Sequence, residues 1–413
     1  MTRRFALALF ASALLLAQEP SEEDRALRQA VGEAGSSPVE FIRAIEGHLK
    51  TYPQSSQRAD LERTLFRASS ELNDDRRIVE YGQRLLDRKE EDLETLDRVS
   101  RALIALGGGK EKAELVLAYA RRLEERLRAN DADSAMQQRF LKSPRDRARF
   151  RDEMDRSLGR ALLYQARAHG WLGDTAQAAA LAQRSFEAHP QAEAAREAAR
   201  WLPPAEALTA LANAFALASD ADRAQARKAL GDRYRQVNGS EEGLGALVLD
   251  AWDRTAALQA ARRARLQKLD PNLDAATPLD FTLTGLKGDP LPLRSLKGKV
   301  VVLDFWATWC GPCRVQYPLY EQVKQKFKGR AEVVFLAVNT DEDRSVVEPF
   351  LKQQNWNKSV YFDEGLSSNL RVSSIPTTVI FGKRGQIFSR LNGFLPERFV
   401  DMLTERIGEA LEE

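Results

Sequence analysis

The sequence predicts a multidomain protein in which an all-α array of helical hairpins is followed by an α/β sheet layered by helices. Three observations lead there. The chain has 413 residues, 43% of them hydrophobic, enough for more than one core. From Ser21 to Asp270 apolar positions recur three and four apart with few β-branched runs, the signature of helices. From Pro278 onward short β-branched runs alternate with helical stretches. Basic-residue usage changes at the same place: 37 of the 46 arginines but only seven of the 16 lysines precede Pro271, and nine of each follow. The change falls at "KLDPNLDAATP" (268–278), whose Pro271, Asn272 and Pro278 stop a helix, so 21–270 and 278–413 are expected as domains joined by a linker, 271–277.

The first residues read "MTRRFALALFASALLLAQEP". Two arginines, an apolar run from Phe5 to Ala17 and a small residue before a polar switch describe a signal peptide over 1–17. The run is too short to span a bilayer of about 30 Å, although an uncleaved anchor held by snorkelling arginines is an alternative. No cysteine follows the run, which excludes a lipid-anchored lipoprotein. The mature chain is therefore expected outside the cytosol, periplasmic or secreted, where a cysteine pair can be oxidised.

With 62 basic and 60 acidic residues the net charge is +2, which leaves no electrostatic footprint for nucleic acid or an anionic membrane. Three histidines (His48, His169, His189) and two cysteines cannot supply the usual ligands of a structural zinc site, so no metal is expected.

Inside the helical half, Ala68 and Leu72 recur as Ala102 and Leu106, 34 positions on, and again as Ala168 and Leu172. The stretch "ALLYQARAHGWLGDTAQAAALAQRSFEAHP" (161–190) puts Ala166 and Ala178 where two helices must approach, a turn at Leu172–Asp174, and Pro190 after the second helix. This resembles a tetratricopeptide repeat, and "FIRAIEGHLKTYP" (41–53) resembles the second helix of another. His169 and Gln165 stand where the repeat prefers an aromatic and a leucine. Such arrays bury core between hairpins and leave a concave face suited to a protein segment; a spacer or dimer platform is the alternative.

In the second half "KVVVLDFWAT" (299–308) and "EVVFLAVNTD" (332–341) read as strands buried on both faces. "TTVIFGKRGQIFSRLNGF" (377–394) reads as a hairpin turning at Lys383–Gly385, and helices are expected over 312–327, 343–354 and 396–410. Cys310 and Cys313, the only cysteines, lie between the first strand and its helix with Gly-Pro between them. That places Cys310 at a helix N-terminus, where free backbone N–H groups and the macrodipole favour a thiolate. Pro312 falls in the first turn, where a helix tolerates proline, and the three-residue offset brings both sulfurs within disulfide reach.

At "FWATWCGPC" the chain resembles the thioredoxin active site, and from about Pro278 it is similar to exported thioredoxin-like proteins of the TlpA/ResA type, which implies a thioredoxin fold. The shared marks are an N-terminal hairpin, an insertion after the third strand and an Ile-Pro-Thr-Thr loop (375–378). The resemblance implies that Cys310 attacks and Cys313 resolves. It implies also a cis-proline at Pro376 beside the sulfurs, a strand edge for substrate at Ile375, a glycine at Gly393 that admits substrate, an indole wall at Trp309 and a kink at Pro318. No cofactor beyond the Cys310–Cys313 disulfide is implied. The partners implied are disulfide-containing protein clients and an electron-donor thiol-disulfide protein, for which a membrane-bound one is a candidate.

Two positions depart from the exported relatives. Asp304 stands where many have Asn, and Gln316 where they have a glutamate. Asp304 matches the buried aspartate of thioredoxin, behind the resolving thiol, where burial disfavours its charged form and suits it to hold or pass a proton. The strand position of thioredoxin's accompanying lysine matches Ala337, so Asp304 is expected to lack a cation and to ionise with difficulty. Gly-Pro adds no extra stabilisation to the thiolate, which favours a reductant. Two other readings remain at this point. A peroxiredoxin-like peroxidase would want proline and Thr or Ser at Leu303 and Ala307, and a non-catalytic helical adaptor would use the second domain only to dock clients.

Overall fold

The computed structural model describes residues 21–88, 92–141 and 143–413; the expected signal peptide, 1–17, lies outside the described residues. Thirteen α-helices precede the sheet among the described residues: α1 (Glu22–Ala34), α2 (Pro38–Thr51), α3 (Arg58–Leu72), α4 (Asp75–Asp87), α5 (Leu93–Ala105), α6 (Lys110–Ala132), α7 (Ser134–Phe140), α8 (Pro144–Trp171), α9 (Thr175–Ala188), α10 (Ala192–Trp201), α11 (Pro204–Ala216), α12 (Asp220–Asn238) and α13 (Leu244–Leu269). Their starts are written in the sequence. The side chains of Ser21, Ser37, Asp74, Asp92, Asp133 and Ser219 each accept the backbone N–H three residues on, a cap worth about 1 kcal/mol each. At the expected turn α8 ends at Trp171 and α9 begins at Thr175, with Ala166 and Ala178 fully buried.

The chain packs as two compact units, one through Arg126 together with Arg160–Ala182, the other Leu127–Gly159 together with Gln183–Glu413. The division thus runs through the helical half, not along 271–277. In the first unit the buried carboxylate of Glu62 meets the guanidinium groups of Arg58, Arg84 and Arg88 at 3.3, 3.1 and 2.7 Å. Burial pushes the Glu62 carboxyl up, but hydrogen bonds from Arg88 and Arg84 outweigh it and hold it below its usual value. In the second unit Ala212, Ala216, Leu230 and Ala251 form a small core joining α11, α12 and α13.

The segment expected as linker folds onto the sheet. Asn272 donates to the Thr282 carbonyl (2.8 Å) and accepts from the Thr282 N–H (2.7 Å), Asp270 is buried beneath it, and Ala275 packs on the core. Strands β1 (Thr282–Gly285), β2 (Pro290–Pro292), β3 (Val300–Trp306), β4 (Val333–Asn339), β5 (Val360–Phe362), β6 (Thr377–Phe381) and β7 (Ile387–Asn392) make one sheet in the order β2-β1-β5-β4-β3-β6-β7. Central β3 runs parallel to β4 and antiparallel to β6. Helices α14 (Gly311–Lys326), α15 (Val347–Gln354), α16 (Leu366–Asn369) and α17 (Pro396–Glu412) complete it, which gives the expected fold class.

Every residue of β3 is buried, as a strand covered on both faces requires. Val301, Leu303 and Phe305 join one core with Leu283, Val338 and Phe381. Val300 and Val302 join another with Tyr320 and Val323 of α14 and Phe399 and Leu403 of α17. Strand parity therefore puts Asp304 on the face that α14 covers.

Candidate active site

Cys310 is the N-cap of α14, and its sulfur accepts the backbone N–H of Cys313 at 3.2 Å. Gly311 and Pro312 occupy the first turn, where a missing N–H is not felt. The two cysteines are joined in a disulfide with Cα atoms 5.3 Å apart, and both are buried. They pack with Trp306, Ala307, Ala337, Val347, Phe350 and Val360, and Ile375 lies against the same cluster.

The Ile375–Pro376 peptide is cis, and the Pro376 carbonyl accepts the Gly393 N–H at 2.9 Å. Gly393 has φ of 76° with open space within 4 Å of where a Cβ would stand, so backbone conformation, not crowding, selects glycine there. Trp309 is 69% exposed beside this buried pair. Pro318 sits inside α14, five residues after Cys313.

The loop before the cysteines is held by a residue that sequence reasoning missed. Asp341, just past β4, accepts from the Thr308 N–H and hydroxyl, both at 2.8 Å, and from the Asn339 amide at 2.7 Å. Arg314 donates back to the Thr308 carbonyl at 2.7 Å and lies over the Phe350 ring, a cation close in sequence to the dithiol that the sequence reading did not count.

Asp304 is buried, and Gln316, one turn after Cys313 on α14, donates to its Oδ1 at 2.9 Å. Ala337 does stand opposite Asp304 in the β3–β4 register, as expected. The expectation that Asp304 lacks a cation is nevertheless wrong. Lys358, from the segment entering β5, donates to Asp304 Oδ2 at 3.2 Å, and both side chains are almost wholly buried. The lysine arrives from 54 residues along the chain, so strand register could not find it. Its Nζ lies 4.6, 4.9 and 5.0 Å from the ring centres of Trp306, Trp356 and Tyr317, and Tyr317 stacks on Trp356 at 4.2 Å.

Burial, and after it the charge of Asp304, pushes the Tyr320 hydroxyl well up, and burial likewise raises Tyr317. Both tyrosines thus stay neutral at ordinary pH.

A thioredoxin-like family model matches residues 298–387, the stretch that carries β3, the dithiol, β4, β5 and the cis-proline. The thiol-disulfide oxidoreductase ResA of Halalkalibacterium halodurans is 30% identical over 131 residues, which cover 31% of this chain and 74% of that protein. The chain belongs to the ResA-type thiol-disulfide oxidoreductases. ResA of Bacillus cereus is 33% identical over 116 residues, covering 28% of this chain and 66% of that relative, just under two thirds of its length. Among solved structures, a secreted Mycobacterium tuberculosis disulfide oxidoreductase homologous to DsbE of E. coli is 28% identical, with 32% of this chain and 97% of that one covered and a TM-score of 0.28. In the two ResA matches the shared part is about a third of the chain or less, and the thioredoxin-like family model lies wholly in the second half.

Proposed function

We propose that this protein is an extracytoplasmic reductant of protein disulfides that works through the dithiol form of Cys310 and Cys313. The observation that carries the reading is Cys310 as N-cap of α14 with the Cys313 N–H on its sulfur, an arrangement that favours negative charge on Cys310. In the reduced protein the Cys310 thiolate attacks a client disulfide, forms a mixed disulfide and expels one client thiolate. Cys313, deprotonated by Asp304, then attacks the Cys310 sulfur, closing the Cys310–Cys313 disulfide and releasing the second client thiol. Two electrons pass from the dithiol to the client. An electron-donor thiol-disulfide protein returns the electron pair to the dithiol by the same exchange in reverse. No cofactor beyond the cysteine pair takes part.

Trp309, Ile375, Pro376 and Gly393 are the client-contacting surface in this reading: an exposed indole that precedes Cys310, a cis-proline and an open glycine. The tetratricopeptide-like helices select clients or the donor. The apolar start of the chain and its cysteine usage support export.

The test is insulin reduction with dithiothreitol, together with trapping by Cys313→Ala. Accelerated insulin precipitation and client mixed disulfides on Cys310 are expected. Peroxide turnover without insulin reduction favours a peroxidase, and client binding that survives loss of both cysteines with no reduction favours an adaptor.

A further inference from the structure

Glu364 and Arg344 form an ion pair that the exchange steps above do not use. The Glu364 side chain is only 2% exposed and takes the Arg344 guanidinium on both oxygens, at 3.0 and 2.9 Å. Arg344 also lies over the Phe362 ring, 4.6 Å from its centre. Such a fork fixes direction as well as distance, because two parallel N–H groups must meet two oxygens. Glu364 itself stands at φ of 49°, a left-handed conformation that a residue with a side chain keeps only where its surroundings impose it. Burying a carboxylate in a strained turn is costly.

Arg344 ends the loop that leaves β4 at Asn339. On one side that loop is tied to the dithiol segment: Thr340 donates its N–H to the Trp306 carbonyl at 2.9 Å, and Asp341 accepts from Thr308. On the other it is tied to the turn after β5, where the Asp363 N–H meets the Asn339 carbonyl at 3.0 Å and Glu364 holds Arg344. The start of α8 reaches the same turn. Arg145 lies so close over Gly365 that a Cβ there would collide with its guanidinium, and Ser143, Arg145 and Asp146 line, with Asn339, Asp341 and Arg344, one cleft of about 370 Å³. All of these residues belong to the second compact unit.

We infer that Arg344 and Glu364 are positioning residues for client binding: the pair sets the β4–α15 loop that clamps Thr308, and with it Trp309, and the start of α8 braces the pair from the helical half. The inference rests on Trp309 as a client contact in the proposed function. A loop held at both ends presents one geometry to a client. With the outer tie cut, Asp341 and Thr308 stay joined but shift together, and a misplacement of about 1 Å is enough to weaken a productive complex. The sulfurs are left in place, because the end of α14 serves Cys310.

The experiment uses the full chain. Steady-state reduction of insulin and of a small aromatic disulfide is measured in wild type, Arg344→Met, Arg344→Lys, the double variant Arg344→Met with Glu364→Met, and Arg145→Ala. Each protein is also labelled with 5-fluorotryptophan, so that the fluorine resonance of Trp309, assigned with Trp309→Phe, reports the loop. Arg344→Met should raise KM for insulin about five- to tenfold with kcat within about twofold, and leave the small disulfide, which needs the sulfurs alone, within about twofold. The Trp309 resonance should shift. Arg344→Lys keeps the charge and loses the fork, and should raise KM about threefold; Arg145→Ala should raise it about twofold to threefold with a shift in the same direction. Glu62→Gln, which breaks the ion cluster of the first unit, should leave KM and resonance unchanged, which separates positioning from lost stability. The double variant leaves no buried charge unpaired, so it carries the test should Arg344→Met not fold, with the same rise in KM expected. Unchanged KM and resonance in a folded variant of the pair overturn the inference, as does an equal loss of kcat/KM for insulin and the small disulfide, which would place the damage at the sulfurs. No effect of Arg145→Ala overturns the brace from α8. If wild type reduces the small disulfide but not insulin, the proposed function fails instead, and the Trp309 resonance alone decides the positioning.

Discussion

At the scale of single residues, Asp304 lies on the α14-covered face of the central strand with Gln316 one turn beyond Cys313. Asp304→Asn should therefore lengthen the life of the client mixed disulfide about 10²-fold, the usual contribution of a positioned acid or base. The alkylation rate of Cys310 should change little, because its sulfur is served by the end of α14. Stopped-flow measurement of the two steps checks this, and equal effects on both would assign Asp304 a purely structural part. The dithiol, Asp304 and the cis-proline were legible because each is local: a motif, a strand position, a loop tetrapeptide. Lys358 was not legible, because it reaches Asp304 from another segment and nothing in register or spacing connects the two. Asp341 escaped for the same reason, since its contacts with Thr308 span 33 residues.

Among the elements, the loop at 307–309 depends on that Asp341 clamp. Asp341→Ala leaves the Thr308 N–H without its acceptor and should cost about 1–2 kcal/mol of stability, while raising KM for a protein client more than it lowers kcat, because Trp309 rides on the loop. Urea unfolding and steady-state insulin reduction read the two effects. In the helical half, Glu62 holds three arginines that are each partly exposed, so Glu62→Gln lets them return to water and should cost about 1–3 kcal/mol, less than stranding a fully buried charge. The pH sign follows from the lowered Glu62 carboxyl. Its contribution is fully present above the unfolded value of about 4.3 and is lost as pH falls through the lower folded value, so the wild type and Glu62→Gln should converge in stability in acid. Prolines were read as helix stops, whereas the Ser and Asp caps at helix starts went unread. The short strands β1, β2 and β5 were less so, because three or four residues carry too little periodicity.

For the whole molecule, composition correctly separated a helical half from an α/β half, but the packing divides the chain inside the helices. A proline and polar residues mark where a helix stops; they do not reveal that Asn272 then ties itself to both backbone groups of Thr282. A fragment starting at Lys268 should accordingly be more stable, and melt at higher temperature, than one starting at Pro278, the stability difference being about 1–3 kcal/mol for the two lost hydrogen bonds and the lost Ala275 contact. Thermal melts of the two fragments compare them. The proposed function is that of a dithiol that gives its electrons to protein disulfides. Equilibration of the full chain against glutathione buffers tests this most directly. A Cys310–Cys313 potential near about −270 mV is predicted, whereas a value above about −180 mV, in the range of disulfide isomerases and oxidants, would contradict it.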